Sequence, residues 1–597
     1  MKKLMKYISM VFAAVVLVTA CETTELDLRV SPNDLAADQA DPNLLLNSIQ
    51  LAYVTNQQAF SGQSARLTRI DYFGSRDYFN ALPGNTMNGV WSRTYSSGGN
   101  GAGDFVSVGI LTNVQALEEL NATSDTDYSF HEGVGKTLLA HSLFQLVDFI
   151  GEAAWSEAGN AAEFPAPKLD SGQEVYAAAF GLLDEAEALL SGSPDPIGAQ
   201  DLFYSGDSSK WVKLINTIRL RSYKNTGDTA SFNAVIAGDN FISDSADDFQ
   251  LIYGNSELQP DDRHPLYAAN YTPSGAGGYR SNYMMNLMLT QDDPRIRYYF
   301  YRQVGATPGA DAPPDEETIS CSLFTPPPHY DGFVYCAPPE GYWGRSHGND
   351  EGGPPDTFLK AAAGVYPAAG KFDGDLFRNG NVVLDDDSGE YVFELDEDDN
   401  GVGLGLGGGG AGIEPIILAS YVDFWRGEMA ATDADKSAFL QAGMEKSIAK
   451  VTSFADPTFE AGALLDDSVF DATTGEVTTA VLASSLVPTA ADITDYIETT
   501  IMRYEMLTGD DKENLFAEQY WIAMYGGASE AYNYYRKTGY PTTVFPNWEP
   551  NPGSFPRTLL IPQNEVINNP GITQRTDLST QVFWDTNPAG PAFPPAN

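Results

Sequence analysis

The chain has 597 residues, of which 43% are hydrophobic and 12% aromatic, so its composition is that of a folded protein and not of a disordered tail. Its 34 Lys and Arg residues stand against 81 Asp and Glu residues, which gives a formal net charge of −47. Such a surface repels phosphate backbones and therefore counts against a nucleic-acid partner. Beyond the N-terminus no segment stays apolar for roughly 18 residues, so the sequence does not predict an integral membrane transporter.

The N-terminus has the organisation of a bacterial lipoprotein signal. Three lysines precede an apolar run from Ile8 to Ala20, which is too short to span a bilayer comfortably. Small residues stand immediately before Cys21, the first of only three cysteines. We therefore expect cleavage before Cys21, lipidation of its thiol, and a soluble body held on a membrane surface by acyl chains. An ordinary secretory signal whose cleavage site holds a cysteine is the alternative.

The clearest helical periodicity lies in residues 131–224. Apolar residues recur at helical spacing from Val134 to Ile150, and Gly151 is expected to stop that helix. A capping box at residues 171–174 predicts a second helix, and a third is predicted to begin after Asp207. The three starts are separated by about 41 and about 36 residues, which is loosely the spacing of stacked helical hairpins such as tetratricopeptide repeats.

The middle of the chain, residues 225–412, loses this rhythm because Pro, Gly and Asp dominate its composition. A stretch of this length without periodicity is uncommon in a compact domain unless it is functional. We interpret it as large surface loops with short strands. Helix is predicted to return over four later segments: Glu414–Met429, Ser437–Phe454, Ile493–Leu507 and Lys512–Tyr525, the last running on through Tyr532.

Cys321 and Cys336 are the two cysteines that remain, and they lie 15 residues apart in a chain that is expected to leave the cytoplasm. A disulfide is the natural interpretation, and closing a loop of this size contributes about 3 kcal/mol in the chain-entropy model. A zinc site is the weaker alternative, since the neighbouring His329 and His347 are not at usual ligand spacings.

A series of short motifs, taken together, resembles the landmarks of SusD/RagB-type outer-membrane lipoproteins, and the resemblance is strongest to the nutrient-binding branch of that family. The motifs occur in the family's order and cover nearly the whole chain after Cys21. They are Asp148–Ala158, Tyr204–Trp211 with Asn216 and Arg219–Arg221, Asp292–Arg295, Gly341–Gly348, Pro415–Leu418, Glu530–Tyr532, Arg536–Pro541 and Pro556–Arg557.

The resemblance implies a mainly α fold, with a tetratricopeptide-like scaffold of helical hairpins and a large loop-rich ligand face that contains short strands. It implies an outer-membrane, cell-surface location, with Glu22 and Glu25 similar to the surface-export tag that follows the lipidated cysteine. It also implies a SusC-like TonB-dependent barrel as partner, over which the lipoprotein closes as a lid. The long 225–412 region and the turn at residues 149–151 depart from the family's usual pattern.

With this resemblance, the chain divides into a signal peptide, a lipidated tether and a single SusD-like domain, at residues 1–20, 21–41 and 42–597. Inside the domain we expect a helical scaffold over about 42–60, 105–224 and 413–540, with the loop-rich insertion over about 225–412.

Members of the family bind oligosaccharides, or peptides in some cases, and do no chemistry. Sugar recognition needs flat aromatic faces together with carboxylates, amides or Arg for the hydroxyl groups. Two clusters of this kind are candidate ligand-binding residues, with core packing as the alternative for each ring. The first is Tyr72, Phe73, Arg76, Asp77, Tyr78, Trp91 and Tyr95, and the second is Tyr330, Phe333, Tyr335, Tyr342 and Trp343.

A possible calcium loop begins at Asp396, with Asp398 and Asn400 as further oxygen ligands and Gly401 at the sixth position. The twelfth position is Gly407 and not Glu, which excludes a full EF-hand. A solvated acidic turn is the alternative. Calcium is thus a possible cofactor, and no other cofactor is expected.

Signatures of catalysis are missing from the sequence. It contains neither Gly-x-Ser-x-Gly nor His-Glu-x-x-His, and its five histidines are scattered. We therefore expect a non-enzymatic protein that captures oligosaccharide and hands it to the barrel. A surface glycoside hydrolase and a peptide-capturing lipoprotein are the two alternatives.

Overall fold

The computed structural model describes residues 41–96, 109–307, 321, 325–351, 357–376, 380–384, 391–395, 402, 405–465, 469–470 and 477–588. The proposed lipidation site, nearly all of the tether and the possible calcium ligands Asp396, Asp398 and Asn400 lie outside these residues.

Helices dominate the described part of the chain, as expected for a mainly α fold. In chain order they are α1 (Pro42–Leu67), α2 (Tyr78–Ala81), α3 (Asn88–Tyr95), α4 (Ile110–Thr123), α5 (Ser129–Ile150), α6 (Gly172–Leu190), α7 (Ser208–Thr226), α8 (Thr229–Gly238), α9 (Pro265–Asn270), α10 (Asn282–Thr290), α11 (Ile296–Tyr299), α12 (Ala419–Glu428), α13 (Asp433–Thr452), α14 (Ala490–Met506), α15 (Asp510–Ala523), α16 (Ala531–Thr538) and α17 (Gln563–Asn568).

The strands are short and pair two by two within the described residues. They are β1 (Glu152–Ala153), β2 (Asp170–Ser171), β3 (Phe249–Ile252), β4 (Phe300–Tyr301), β5 (Ala362–Ala363), β6 (Gly380–Leu384), β7 (Tyr391–Leu395), β8 (Ile413–Ile417), β9 (Val469–Phe470) and β10 (Val477–Thr479). The antiparallel pairs are β1 with β2, β3 with β8, β4 with β5, β6 with β7, and β9 with β10.

The three helices predicted around residues 131–224 are confirmed. Helix α5 ends at Gly151, whose φ of +94° is a left-handed conformation that glycine adopts without steric cost. Helix α6 opens on the predicted capping box, in which Ser171 and Glu174 each accept a hydrogen bond from the other's backbone. Helix α7 begins after Asp207, whose carboxylate accepts from two backbone N–H groups. Local sequence therefore sets all three boundaries.

Helix α1 continues to Leu67, beyond the expected end of the first scaffold segment at about residue 60. Its second half buries polar residues, which interrupt the apolar pattern but have partners. Gln57 exchanges hydrogen bonds with Gln145, while the Ser61 and Ser64 hydroxyls accept from backbone N–H groups near α16. Hydrophobic periodicity could not register this buried polar face.

The predicted helix over Glu414–Met429 is wrong at its start. Residues Ile413–Ile417 form strand β8, which pairs antiparallel with β3, and helix α12 begins only at Ala419. β-Branched isoleucines and the proline inside this run favour a strand over a helix. The pairing with β3 reaches across more than 160 residues of sequence, so no local signal specified it.

The described part of residues 225–412 contains more helix and more buried packing than the expected large surface loops. Four helices, α8 to α11, lie within this region, and several of its aromatic side chains are fully buried, among them Tyr267, Tyr299 and Tyr366. Tyr299 stacks on Tyr525 of the C-terminal part with ring centroids 4.4 Å apart. The region is thus packed into the helical scaffold, although its strands are short as predicted.

The predicted disulfide between Cys321 and Cys336 is confirmed, with the two Cα atoms 5.5 Å apart. It belongs to a small hydrophobic cluster with Trp343 and Trp548, separate from the main core. Among the described helices, none combines the length and the apolar character that crossing a membrane requires.

Candidate functional site

Two distant segments, residues 71–78 and 347–350, meet and bring parts of the two predicted aromatic clusters together. The Gly348 N–H donates to the carbonyl of Phe73 at 2.7 Å, and the Tyr72 hydroxyl donates to the carbonyl of Asn349. The Phe73 ring stacks on His347 with centroids 5.0 Å apart. These contacts fix the loop after α1 against the glycine-rich motif at 341–348.

A partly exposed surface forms along this junction, and we name it the aromatic face. Its rings are half-buried, apart from the buried Trp548, and its carboxylates are partly exposed. Its members are Tyr72, Arg76, Tyr279, Tyr335, Arg345, Asp350, Glu351, Trp548 and Glu549.

Arg76 is the centre of charge of the aromatic face. Its Nε lies 2.5 Å from the Asp350 carboxylate, and its terminal nitrogens lie 3.8 Å from Glu351 and from Glu549. All four side chains are between about one third and one half exposed, so these ion pairs contribute little to stability. They do hold donors and acceptors for hydroxyl groups at the surface.

Tyr335 and Trp548 provide the flat part of the aromatic face. Their rings stack with centroids 4.2 Å apart and planes inclined by only 10°. Trp548 is buried, whereas Tyr335 keeps part of its ring exposed. Burial and the nearby Glu351 charge raise the pKa of Tyr335, and Arg76 lowers it, which places this ring beside the charged centre.

Tyr279 lies at the other edge of the aromatic face. Its ring centroid is 5.7 Å from that of Tyr72, and the Arg345 guanidinium lies 4.1 Å from it. The Lys360 ammonium is also within 4.4 Å of the ring. Such cation–π contacts hold the two cations near the face.

The remaining predicted ring residues are packed into the structure. Tyr78 is fully buried, with its hydroxyl 3.2 Å from Arg69 and 3.1 Å from His347. Tyr330 donates to the carbonyl of Pro546, and Tyr342 lies under the Arg302 guanidinium. Trp343 packs beside the disulfide. These four rings offer almost no exposed surface, as their core-packing alternative expects.

Trp91 and Tyr95 contact each other, with centroids 4.6 Å apart, and Trp91 donates to Glu565 of α17 at 3.1 Å. Trp91 is buried as well. Asp77 caps α2 by accepting from the Asn80 N–H. For these residues contact with a ligand stays a prediction, with packing and capping as the roles that the structure displays.

A cavity of about 310 Å³ adjoins the aromatic face, since its lining includes Asp71 and Arg280, the sequence neighbours of Tyr72 and Tyr279. This volume is at the lower end of the range for ligand pockets. The lining residues come from α1 and the loop after it, the start of α9, β8, the turn before α16, and two further loop positions, Arg280 and Pro367. They are Gln58, Ser61, Gly62, Ala65, Arg66, Ile70, Asp71, His264, Pro265, Leu266, Arg280, Pro367, Glu414, Tyr525 and Gly526.

Burial controls the ionisation of two groups in the cavity. It raises the pKa of Glu414 to about 8, although hydrogen bonds from Gln58 and Tyr253 oppose this shift. It lowers the pKa of His264 to about 4, so the imidazole is neutral near pH 7. The Arg280 Nη1 lies 3.6 Å from the Asp71 carboxylate, which is an ion pair too long for a hydrogen bond.

Sequence reasoning missed Tyr279, Trp548 and the cavity. Trp548 lies in a proline-rich segment beyond the last predicted helix, and only its stacking on Tyr335 reveals its place. Within the residues described, no group of three His, Cys, Asp or Glu side chains is arranged to hold a metal ion.

The fold is that of solved SusD homologues. A SusD homologue from Bacteroides uniformis matches with a TM-score of 0.55 at 15% identity, over 93% of this chain and 100% of that one. A SusD/RagB family protein from Bacteroides thetaiotaomicron gives 0.55 at 15% identity, over 90% and 95%. A chitin-binding SusD homologue from Flavobacterium johnsoniae gives 0.52 at 18% identity, over 92% and 99%.

A family model described as "Starch-binding associating with outer membrane" matches residues 37–312. No curated protein matches the sequence significantly. Residues 37–312 thus match the SusD-like family, and the fold of the described chain is that of SusD homologues, as the motifs indicated.

Proposed function

We propose that this protein is a surface lipoprotein that captures an oligosaccharide or polysaccharide and delivers it to a SusC-like TonB-dependent barrel. The observation that carries the proposal is the aromatic face, where a stacked Tyr335–Trp548 pair lies beside Arg76 and its three carboxylates. Such a surface can place apolar ring faces against sugar C–H groups and donors and acceptors against hydroxyls.

The family match and the shared fold support the same proposal. One structural neighbour binds chitin, and the matching family model is described as starch-binding and associated with the outer membrane. Anchoring through lipidated Cys21 and closure over the barrel as a lid are parts of the proposal that follow from the family. Capture then needs no bond to be made or broken, and the uptake energy comes from the barrel partner.

Affinity electrophoresis of the protein from residue 22 onward tests capture, in gels that hold neutral or acidic polysaccharides. Retardation by one polymer without release of new reducing ends is the expected result. Release of reducing ends would instead support a glycoside hydrolase. If no polymer retards the protein, competition with peptide libraries decides for or against the peptide-capturing alternative.

Delivery has its own test. The lipidated protein, carrying an affinity tag, is purified in detergent from its own outer membrane. A TonB-dependent barrel in roughly equal amount is the expected companion, and a Cys21→Ser variant that fails to reach the membrane serves as the control. Recovery of the lipidated protein without any barrel would contradict the delivery part of the proposal.

A further inference from the structure

The cavity carries a net positive charge in a chain whose net charge is −47. Arg66 and Arg280 are its two cations, and Asp71 and Glu414 are its two carboxyl groups. Because burial leaves Glu414 mainly protonated and His264 neutral near pH 7, neither of them cancels the excess. A positive pocket on so acidic a protein favours an anionic group on whatever binds there.

Arg66 is the exposed member of this pair of cations. It lies in the last turn of α1, and its guanidinium has no carboxylate partner among the residues described. A cation in the last turn also interacts favourably with the helix C-terminus, which is the structural explanation for it. This helix interaction does not explain why Arg66 lies on the cavity wall together with the buried Arg280.

Arg280 and Asp71 lie side by side on the cavity wall, and each keeps a buried polar atom without a hydrogen-bond partner among the residues described, Arg280 Nε and Asp71 Oδ1. The 3.6 Å separation of Arg280 Nη1 from Asp71 is longer than a hydrogen bond, and Arg280 is almost completely buried. A carboxylate can accept from the guanidinium of Arg280 while a neighbouring hydroxyl donates to Asp71. A molecule with both groups on adjacent carbons satisfies this pair better than a simple inorganic anion.

The rest of the lining is suited to a sugar ring. Apolar side chains and proline rings cover one part of the wall, and the Gln58 amide and Tyr525 hydroxyl lie among the polar groups. Hexose rings present C–H groups and hydroxyls in alternation, and such a mixed wall matches them. The apolar members are Ala65, Ile70, Pro265, Leu266 and Pro367.

We propose that the cavity binds a sugar acid of the captured oligosaccharide, with Arg66 and Arg280 around its carboxylate and Asp71 accepting from a hydroxyl. The inference rests on the proposed glycan capture and names its ligand class. The chain would thus select uronate-containing glycans in spite of its acidic surface, because the local charge of the cavity differs in sign from the total.

Isothermal titration calorimetry tests this with short galacturonate and glucuronate oligomers, and with the same oligomers after reduction of their carboxyl groups to alcohols. We expect an acidic oligomer to bind about tenfold more tightly than its reduced form. Arg66→Gln should abolish this preference. Arg503→Gln is the matched control, since Arg503 is an exposed arginine in the last turn of α14, away from the cavity, and should keep the preference.

The outcomes separate this inference from the proposed function. If the reduced oligomers or other neutral glycans bind as well as the acids, the sugar-acid inference is overturned while glycan capture stands. An acidic preference that survives Arg66→Gln overturns the assignment to the cavity. If no glycan binds, the proposed function itself fails, and peptide binding that depends on Arg66 would assign the cavity to a peptide carboxylate instead.

Discussion

Arg221 Nη2 lies 2.6 Å from the Glu530 carboxylate, and both side chains are almost completely buried. Asp148 contacts the same guanidinium, and the Lys224 ammonium lies 3.2 Å from Glu530. Burial by itself would raise the pKa of Glu530, but Arg221 and Lys224 hold it below its usual range. The charged network joins α5 and α7 to the residue before α16, and so ties the N-terminal helices to the C-terminal part.

Removing the charge of Glu530 should lower the stability of the fold, because the buried cations Arg221 and Lys224 then lack part of their compensating negative charge. We expect Glu530→Gln to lower the free energy of unfolding by about 3–5 kcal/mol, measured by equilibrium urea denaturation. Asp433→Asn is the control, since Asp433 pairs with Lys512 at the surface, and its effect should stay within about 1 kcal/mol. Equal effects of the two substitutions would contradict the structural role of the network.

Tyr335 should contribute to glycan affinity through its ring and not through its hydroxyl. We expect Tyr335→Ala to weaken binding of the glycan identified by electrophoresis by about tenfold, whereas Tyr335→Phe, which keeps the stack on Trp548, should change it little. Calorimetric titration measures both. Tyr128→Ala removes a half-buried ring beside His131 at the start of α5 and serves as the control. Unchanged affinity in Tyr335→Ala would remove this residue from the site.

Glu414 should make stability depend on pH. Its pKa of about 8 in the folded protein exceeds its ordinary value of 4.5, so the folded state holds this proton more tightly than the unfolded chain does. The stability that this provides is complete below about pH 4.5 and is lost as the pH rises through about 8.

The variant Glu414→Gln tests this directly, because glutamine cannot ionise but can still accept from Tyr253. Its free energy of unfolding should fall less than that of the parent protein between about pH 6 and about pH 9. Glu257→Gln, at a mostly exposed carboxyl, should follow the parent. Parallel curves for all three proteins would show that Glu414 is ionised in the folded state at neutral pH.

The Cys321–Cys336 disulfide should support the aromatic face as well as global stability. Replacing both cysteines by serine is expected to lower the free energy of unfolding by about 3 kcal/mol in the chain-entropy model. Because Tyr335, Trp343 and Trp548 pack in the same small cluster, glycan affinity should fall as well. Denaturation and calorimetry of the double variant, with reduced parent protein as the comparison, measure the two effects separately.

Boundaries that depend on neighbouring residues were predictable from sequence. Gly151 ends α5 and the Ser171–Glu174 box begins α6 because both act within one helical turn. Glu414 was placed in a helix because the partner of its strand, β3, is far away in sequence. The β-propensity of residues 413–417 alone did not predict that they pair with β3.

In the candidate site, too, residues that are close in sequence could be predicted and residues brought together from distant segments could not. Tyr72, Arg76 and Tyr335 could be proposed from sequence because aromatic and charged residues cluster along the chain there. Trp548 was missed because it is isolated in sequence. Its stacking partner, Tyr335, lies 213 positions earlier in the chain. Rings such as Tyr78 carry the same composition signal but are buried, and sequence cannot tell an exposed ring from a buried one.

Helix α1 fixes the distance between the start of the domain and the cavity. Its 26 residues span about 39 Å at 1.5 Å per residue, from Pro42, where the described chain begins beside the tether, to the turn that carries Arg66. A ligand in the cavity therefore lies roughly one helix length from Pro42, whatever path residues 21–40 take. In the proposed lipid-anchored protein, residues 21–41 set the distance between the folded body and the membrane, whereas α1 sets the distance between Pro42 and a ligand in the cavity.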